Sequence, residues 1–308
     1  MKEVQTVIYH RTDYDGLFSA LVYGKYCREN EISVNYIGYT YGDNLPNIQE
    51  LIVLSKRIVL LDISFPPEYM HSLIENFGEG NILWIDHHGT AINESIKFNY
   101  SSLPGIRVES FKAACELTWE YLFGSDKTPE IVKRISAFDV WDKSRFNWDL
   151  EVHPIQLSLR STYGVNLSKL EKKINLIFSP KYLNEYLIPT GQGIKKYLTG
   201  KWRTQIKNSA FDITVAGKYK GIALLSPDFT SAMFESVLNN YQVFCICNIK
   251  NDSEYLSVSL YSEPDGRLGD FDLGEYMKEN YEGGGHKTSA GGKLTKDQFI
   301  DLIFNYKI

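Results

Sequence analysis

The organisation of this chain follows from the segment Asn81-Ile82-Leu83-Trp84-Ile85-Asp86-His87-His88-Gly89, in which an apolar run ends in an acid and two histidines. A short apolar run bounded by polar residues indicates a buried strand. In open α/β sheets, the ligand-binding residues lie just beyond the carboxyl ends of the strands. We therefore expect Asp86, His87 and His88 at the ligand-binding edge of a sheet, although such a triplet also occurs as hydrogen-bonded loop residues.

Two earlier apolar runs end in the same kinds of side chain. His10, Asp13 and Asp15 follow the first of these runs, and Asp62 follows the second. Because the carboxyl ends of parallel strands meet at one edge of a sheet, we expect all of these residues to converge there. Singly, each has an ordinary explanation, since Asp13 or Asp15 would also cap the helix that follows it. Their number and order favour a shared site.

The fold class follows from the order of the expected elements. Strand and helix patterns alternate over residues 1–90, which favours an α/β fold with a parallel sheet flanked by helices. After a basic connector the pattern restarts, so a smaller α/β domain with a mixed sheet is expected. A length of 308 residues also favours two domains. We place the first domain at residues 1–185, a helical connector at 186–208 and the second domain at 209–308.

Net charge, apolar runs and cysteine spacing indicate which kinds of binding partner the protein is expected to have. The net charge of −5 argues against general electrostatic attraction to nucleic acid or to an anionic membrane, so a polyanionic substrate would be held locally. No apolar run approaches the ~20 residues of a membrane span, and no leader pattern is present. We therefore expect a cytoplasmic protein without a membrane partner. The four cysteines lack the spacing of a zinc site, and core thiols are expected.

The residues at the expected sheet edge resemble the motifs of the DHH phosphoesterase family, which includes RecJ-like and nanoRNase-like phosphodiesterases. The family's motifs are a histidine followed by two spaced aspartates, a lone aspartate, the Asp-His-His triplet and an aspartate just ahead of a tryptophan. Asp139 in Phe138-Asp139-Val140-Trp141 matches the last of these, with Asp142 one turn further on as a weaker candidate. The segment 283–292 resembles the glycine-rich signature of the accompanying DHHA1 domain. The first domain would then be catalytic and the second would bind substrate.

The residue types themselves indicate a metal site. Carboxylates and imidazoles without thiolates suit Mn²⁺, with Mg²⁺ as the alternative, and aspartates packed this densely require cations. Two ions bridged by a carboxylate are the expected arrangement. The resemblance implies more specific roles: one ion held by His10, Asp13 and Asp62, the other by Asp15, Asp62, His87 and Asp139, with Asp62 bridging, Asp86 orienting an imidazole and His88 facing the scissile phosphate.

Substrate contacts are expected in the second domain. The consecutive glycines Gly283, Gly284 and Gly285 allow backbone N–H groups to approach an anion, and His286 adds a donor; a flexible hinge is the alternative. DHHA1 proteins often carry an arginine in a Ser-Leu-Arg-Ser strand, whereas this chain has Tyr261 at that place. Tyrosine stacks or donates one hydrogen bond but forms no charged fork. Arg267 or the lysines of the connector are candidates to compensate.

The connector itself has two interpretations. Five basic residues without an acid interleave with Tyr197 and Trp202, as in a track for a single-stranded backbone and its bases. A solvated linker helix explains the same composition.

These observations predict a two-metal phosphodiesterase that hydrolyses short single-stranded RNA or DNA. A cyclic or linear dinucleotide phosphodiesterase is the first alternative, because relatives with the same two domains act on such molecules. A pyrophosphatase or exopolyphosphatase is the second, although that branch typically lacks the Gly-Gly-Gly-His signature. A non-catalytic, nucleic-acid-associated scaffold is the third, and the complete set of ligand-type residues counts against it. The oligomeric state is not indicated by the sequence.

Overall fold

A parallel sheet of four strands forms the centre of the first part of the molecule, as the sequence predicts. The strands are β1 (Val4–His10), β2 (Ser33–Tyr39), β3 (Arg57–Leu61) and β4 (Ile82–Ile85). Their order in the sheet is β2-β1-β3-β4, and every neighbouring pair is parallel. Apolar residues on both faces of β1, β3 and β4 are buried because helices cover both sides of the sheet. Strands β1, β3 and β4 are parallel neighbours and therefore end at one common edge.

Helices fill both faces of this sheet. One face packs Val7 and Val59 against Leu17 and Leu21 of the first helix, and the other packs Trp84 against Met70 and its neighbours. The helices are α1 (Tyr14–Glu29), α2 (Ile48–Leu54), α3 (Pro67–Phe77), α4 (Gly89–Lys97), α5 (Ala114–Phe123), α6 (Glu130–Asp139), α7 (His153–Tyr163), α8 (Leu167–Glu171), α9 (Ile174–Ile177) and α10 (Pro180–Tyr182), with 3₁₀ or π turns at Glu79–Asn81, Ser125–Lys127, Trp148–Val152 and Leu183–Leu187.

The later part of the chain forms a second, mixed sheet of six strands in the order β5-β6-β7-β8-β10-β9. Only the β6–β7 pair is parallel, and the other pairs are antiparallel. The strands are β5 (Phe211–Val215), β6 (Tyr219–Leu225), β7 (Val243–Ile249), β8 (Tyr255–Tyr261), β9 (Gly284–His286) and β10 (Ser289–Thr295), and the helices are α11 (Ile188–Ser209), α12 (Leu273–Tyr281) and α13 (Lys296–Phe304), with a 3₁₀ segment at Ser231–Asn240. The α/β fold class and the mixed second sheet are confirmed.

This computed structural model describes residues 4–228, 230–249, 254–281 and 283–304, without the side chains of His286 and Phe304. The chain divides into two compact units, Met1–Lys195 and Lys196–Ile308. The division falls inside α11, within the connector expected at residues 186–208. The functional roles of the two units remain predictions.

The glycine segment has a different local structure from the one expected. Gly284–His286 forms β9, which pairs with the start of β10, and neither strand was predicted from the sequence. Gly285 has a φ of +145°, and a Cβ built on it would lie 2.4 Å from the carbonyl oxygen of Ser289. Glycine is therefore required there by close backbone approach, and the hinge interpretation is wrong for this strand.

The connector is helical, but one aromatic residue of the proposed nucleic-acid track is not available on the surface. Trp202 is only 5% exposed and packs with Ile222 and Phe234, while its indole N–H donates to Asp228 at 3.2 Å. The ammonium group of Lys201 lies 2.7 Å from the same carboxylate. Helix α11 thus has an apolar face that packs in the second unit, and this explains its composition. The prediction that Tyr197 and Trp202 together form a track for bases is therefore wrong for Trp202.

All four cysteines lie in the described part of the chain, where they are buried and form no disulfide, as expected for core thiols. Over the described part of the chain, no helix combines the length and apolar character needed to cross a bilayer.

Candidate metal centre

Seven side chains predicted from the sequence meet at the carboxyl edge of the parallel sheet, and an eighth, Asp86, bonds to one of them. Three groups of them each offer ligand atoms that lie within 4.8 Å of one another: His10, Asp13 and Asp62; Asp15, His87 and Asp139; and Asp62, His87 and His88. The last residues of β1, the residues after β3 and β4, the start of α1 and the end of α6 supply them. The expected convergence therefore occurs, and it depends on strand order, since β1, β3 and β4 are adjacent.

Asp62 belongs to two of these groups and lies between them. One carboxylate oxygen, Oδ2, is 3.6 Å from His10 Nδ1, and the other, Oδ1, is 3.5 Å from His87 Nε2. The residue is 1% exposed and has a φ of +57°, in the left-handed region that few non-glycine residues occupy. Its two oxygens therefore face two ligand groups, which is the arrangement that a bridging carboxylate requires.

The orphaned polar atoms of the cluster fit a divalent cation. His87 Nε2 is buried without a hydrogen-bond partner, and so is Asp62 Oδ1. Around His87 Nε2 lie oxygens of Asp139 at 3.3 Å, Asp15 at 3.5 Å and Asp62 at 3.5 Å. Charge-assisted hydrogen bonds are shorter, about 2.7–2.9 Å, whereas neighbouring ligands of one octahedral ion at ~2.1 Å are about 3 Å apart. The spacing suits ligands around an ion better than hydrogen-bonded pairs.

Asp15 is fixed by the helix that faces it. Its two oxygens accept hydrogen bonds from the backbone N–H groups of Ala114, at 2.9 Å, and Cys115, at 2.7 Å, in the first turn of α5. Burial raises the pKa of Asp15 well above its usual range, and the nearby carboxylate of Asp62 adds to this rise. Burial likewise raises the pKa of Asp139, and Asp15 adds to the effect. A bound cation would relieve this mutual repulsion.

Asp13 has both of the roles considered for it. Its carboxylate caps α1 by accepting the Gly16 N–H at 3.0 Å, and it also lies 2.7 Å from His10 Nδ1. The capping explanation and the site explanation are therefore compatible at this residue. Asp142, the weaker candidate for the last motif, instead bonds the N–H and hydroxyl groups of Ser144 and is in none of the ligand groups.

Asp86 and His88 form a hydrogen-bonded pair, in which His88 is also a member of the third ligand group. Asp86 is fully buried, and its Oδ1 accepts the backbone N–H groups of His87 and His88 at 2.7 and 3.1 Å. The same oxygen lies 2.7 Å from His88 Nδ1, which leaves Nε2 at the outer end of a ring that is 42% exposed. The hydrogen bond to Asp86 raises the pKa of His88 to about 9. A cation bound at Asp62 would oppose that rise.

The predicted substrate residues of the second unit have other contacts. Arg267 bonds the Asp265 carboxylate and the carbonyl oxygens of Leu238 and Tyr241, so its guanidinium group fastens a loop. Tyr261 is half-buried and packs beside the aromatic cluster that contains Trp202. The side chain of His286 lies outside the described residues. Substrate contact by Gly283–Gly285, His286, Tyr261 and Arg267 therefore remains a prediction.

Tyr41 lies beside His10, although no motif of the sequence points to it. Its ring lies 5.9 Å from the His10 ring, its hydroxyl accepts the Ser64 N–H at 3.3 Å, and it is 55% exposed. Its only signal in the sequence is an aromatic residue in the turn that follows the second strand.

The sequence matches no family profile and no curated protein. Solved structures do match. A pGpG-specific phosphodiesterase, PggH, from Vibrio cholerae aligns at a TM-score of 0.59 and 13% identity, over 96% of this chain and 95% of that one. An exopolyphosphatase-related protein from Bacteroides fragilis aligns at 0.51 and 15%, over 98% and 90%. The exonuclease RecJ bound to manganese aligns at 0.50 and 14%, over 97% and 88%. At these identities, the likeness establishes the fold.

Proposed function

Because the chain has the fold of the DHH phosphoesterases, we propose that it is a divalent-metal-dependent phosphoesterase that hydrolyses phosphodiester bonds in short single-stranded oligonucleotides, linear dinucleotides included. The observation that carries this proposal is the buried, unpartnered His87 Nε2 among three carboxylates, one of which is shared with a second ligand group. The donor set contains only carboxylates and imidazoles, which favours Mn²⁺ or Mg²⁺ over a structural zinc ion.

The ligands of one ion would be His10, Asp13 and Asp62, and those of the other would be Asp15, Asp62, His87 and Asp139. When bound, such a pair of ions supplies positive charge to the phosphate oxygens and lowers the pKa of a bound water. The manganese-bound RecJ structure, which shares this fold, supports the choice of metal. The number and identity of the ions are part of the proposal.

The protein's own contribution is to hold the ligands and to present one proton donor. Asp86 fixes both backbone N–H groups of the His87–His88 turn and the Nδ1 side of the His88 ring. The Nε2 side of His88 is thereby available to donate a hydrogen bond to a phosphate oxygen, or a proton to the leaving oxygen. Because Asp86 sets the orientation of the His88 ring before substrate binds, little conformational entropy is lost in orienting the ring during the reaction.

The substrate class rests on charge and on likeness of fold. A net charge of −5 means that attraction to a long nucleic acid is weak, so a short substrate held by one or two phosphates is favoured. The neighbours PggH, specific for the linear dinucleotide pGpG, and RecJ, an exonuclease, support a phosphodiester substrate. The exopolyphosphatase-related neighbour keeps polyphosphate as a second candidate. A ligand-type residue at each motif position counts against a non-catalytic scaffold.

Product analysis tests this proposal. Labelled di- to decanucleotides of RNA and DNA, cyclic dinucleotides, pyrophosphate and polyphosphate would be incubated with the protein and Mn²⁺, with and without a chelator. We expect release of mononucleotides from the linear substrates, lost on chelation and in Asp15→Asn, and retained in Asp142→Asn. Hydrolysis confined to pyrophosphate or polyphosphate would overturn the substrate class, and undiminished hydrolysis after exhaustive chelation would overturn the metal dependence.

A further inference from the structure

The end of helix α6, next to the metal centre, has an unusual residue in its terminating turn. The N–H of Asp142 bonds the carbonyl oxygen of Ala137 at 2.9 Å, and the N–H of Trp141 bonds that of Phe138 at 3.2 Å. These bonds close the helix with Trp141 in the left-handed conformation, at a φ of +56°. Helices that end in this way usually carry glycine at that position, sometimes asparagine. This helix carries a tryptophan.

Burial accounts for only part of the surface of this tryptophan. A bulky residue at positive φ is a genuine outlier, because its Cβ crowds the backbone where glycine would not. A buried tryptophan would offset that cost through packing, whereas Trp141 packs part of its surface against Phe138 and Trp148 and stays 45% exposed. Strained backbone of this kind is concentrated at ligand-binding sites, where the side chain serves function and does not stabilise the fold. The outlier therefore points to a ligand for the exposed ring.

Trp141 is part of a group that we call the aromatic platform, formed by Phe138, Trp141 and Trp148. The rings of Phe138 and Trp148 are stacked, with centroids 5.3 Å apart and planes 8° from parallel. The ring of Trp141 packs against that of Trp148 with centroids 4.7 Å apart and an interplanar angle of 63°. The ammonium group of Lys143 is 5.0 Å from the Trp141 ring and 5.6 Å from the Trp148 ring. A positive charge thus lies beside exposed aromatic surface.

The platform is joined directly to the metal centre. Asp139, whose carboxylate is 3.3 Å from His87 Nε2, lies between Phe138 and Trp141 in the chain. Consecutive Cα atoms are 3.8 Å apart, so the Cα of Trp141 lies within about 8 Å of the Cα of Asp139. One nucleotide carries a phosphate and a base over a comparable span. The distance between phosphate and base in one nucleotide is therefore similar to the distance between the backbones of Asp139 and Trp141.

We propose that Trp141 is a positioning residue whose exposed ring stacks on the nucleobase of the nucleotide held at the metal centre. This inference rests on the proposed function, because it takes the ligand to be a nucleotide and not inorganic phosphate. Stacking on tryptophan is available to every base, so the platform provides affinity for nucleotides without selecting one base. Lys143 adds positive charge beside the rings of Trp141 and Trp148.

Substitutions of Trp141 separate stacking from helix termination. Trp141→Gly removes the ring and supplies the residue that the turn favours, whereas Trp141→Ala removes the ring and keeps the unfavourable φ. Trp141→Phe retains a smaller ring. We expect the glycine variant to be at least as stable as the alanine variant in thermal unfolding. The control is Tyr186→Ala, which removes another exposed ring that stacks on an aromatic neighbour, Tyr182, outside the platform.

The readout is binding of a nucleoside 5′-monophosphate and of ribose 5-phosphate, by calorimetry in Mn²⁺, together with hydrolysis of a dinucleotide and its abasic counterpart. For the base-bearing ligands, we expect Trp141→Gly and Trp141→Ala to weaken binding and kcat/KM by roughly five- to a hundredfold, with Trp141→Phe intermediate. Ligands without a base, Mn²⁺ affinity and Tyr186→Ala should be unaffected.

Equal losses for ligands with and without a base would overturn the inference, because Trp141 would then act only by positioning Asp139. Unchanged nucleotide binding in both variants would also overturn it. In either case the wild-type protein would still hydrolyse oligonucleotides, so the proposed function would stand. If the wild type binds neither nucleotide nor oligonucleotide and hydrolyses only inorganic phosphates, the proposed function fails first and this inference fails with it.

Discussion

Replacing Asp62 with asparagine isolates the charge that both ligand groups share. Asparagine has nearly the same volume and is one of the few residues that tolerate a φ near +57°, so the backbone is preserved. Burial raises the pKa of Asp62, the hydrogen bond to His10 opposes the rise, and Asp13, Asp139 and Asp86 add to it. An ionised Asp62 is therefore unfavourable in chelator and favourable beside a cation. The substitution should have opposite effects on stability in the two conditions.

The expected magnitudes follow from the burial and from mass action. Removing a buried carboxylate that lacks a cation should stabilise the chelated protein by about 1–3 kcal/mol, the scale of an uncompensated buried polar group. A cation at one hundred times its Kd stabilises the wild type by about 2.7 kcal/mol. At about 2–4 °C per kcal/mol for a domain of this size, Mn²⁺ should raise the wild-type Tm by roughly 5–11 °C. Asp62→Asn should lose most of this response, and its kcat should fall about 10²–10³-fold.

Thermal unfolding by circular dichroism, in chelator and across a Mn²⁺ series, measures these effects, and calorimetry gives the metal affinity. Asp142→Asn is the matched control, because it removes a carboxylate that lies a few residues from the cluster, bonds to Ser144 and is in none of the ligand groups. It should respond to Mn²⁺ as the wild type does. A wild-type response to Mn²⁺ in Asp62→Asn would refute the bridging role. A less stable Asp62→Asn in chelator would refute the reasoning from carboxylate repulsion.

Two further predictions concern histidines. His88→Gln should lower kcat about 10²–10⁴-fold and leave Mn²⁺ affinity unchanged. Asp86→Asn should lower kcat about 10–100-fold, because the carboxylate that holds His88 Nδ1 is lost. A loss of Mn²⁺ affinity in His88→Gln, measured by calorimetry, would instead make His88 a metal ligand. Burial lowers the pKa of His153 to about 4, against about 6.5 in the unfolded chain, so the unfolded state takes up the proton first and stability is lost as pH falls from about 6.5 to about 4. Urea unfolding at pH 7.5 and pH 4 measures how much unfolding free energy each protein loses on acidification. We expect His153→Phe to lose up to about 3 kcal/mol less than the wild type, and equal losses in the two proteins would contradict this assignment.

The parallel sheet and the convergence of the candidate metal ligands could be predicted from the sequence because both depend on strong local patterns. Buried strands produce apolar runs, and the residue after each run must lie at the carboxyl edge. Asp62, His87 and His10 could therefore be assigned to one site without knowing any distance. The order of strands was not specified by the pattern, and it is the adjacency of β1, β3 and β4 that brings the groups within contact.

Other features left weak signals. β9 and the start of β10 are rich in glycine, which has no side chain to show the period of two that marks a strand. Trp202 occurs among lysines and reads as a surface aromatic, yet α11 turns that residue towards the second sheet's aromatic cluster. In both cases the determining contact is made with a distant part of the chain. Local composition contains no information about that contact.

The two positive-φ residues at the metal centre show how the fold sustains conformations that its sequence does not favour. At Asp62 the N–H bonds the carbonyl oxygen of Ile85 at 3.0 Å, which extends the β3–β4 pairing past the end of the strand. At Trp141 the bond from the Asp142 N–H to Ala137 closes α6. Sheet and helix thus hold each backbone, and each strained residue supplies a side chain that glycine lacks: a shared carboxylate in one case and an exposed ring in the other. If Asp62 and Trp141 have the roles proposed for them, strain at both positions has one physical explanation, in which stability is given up to place a functional group.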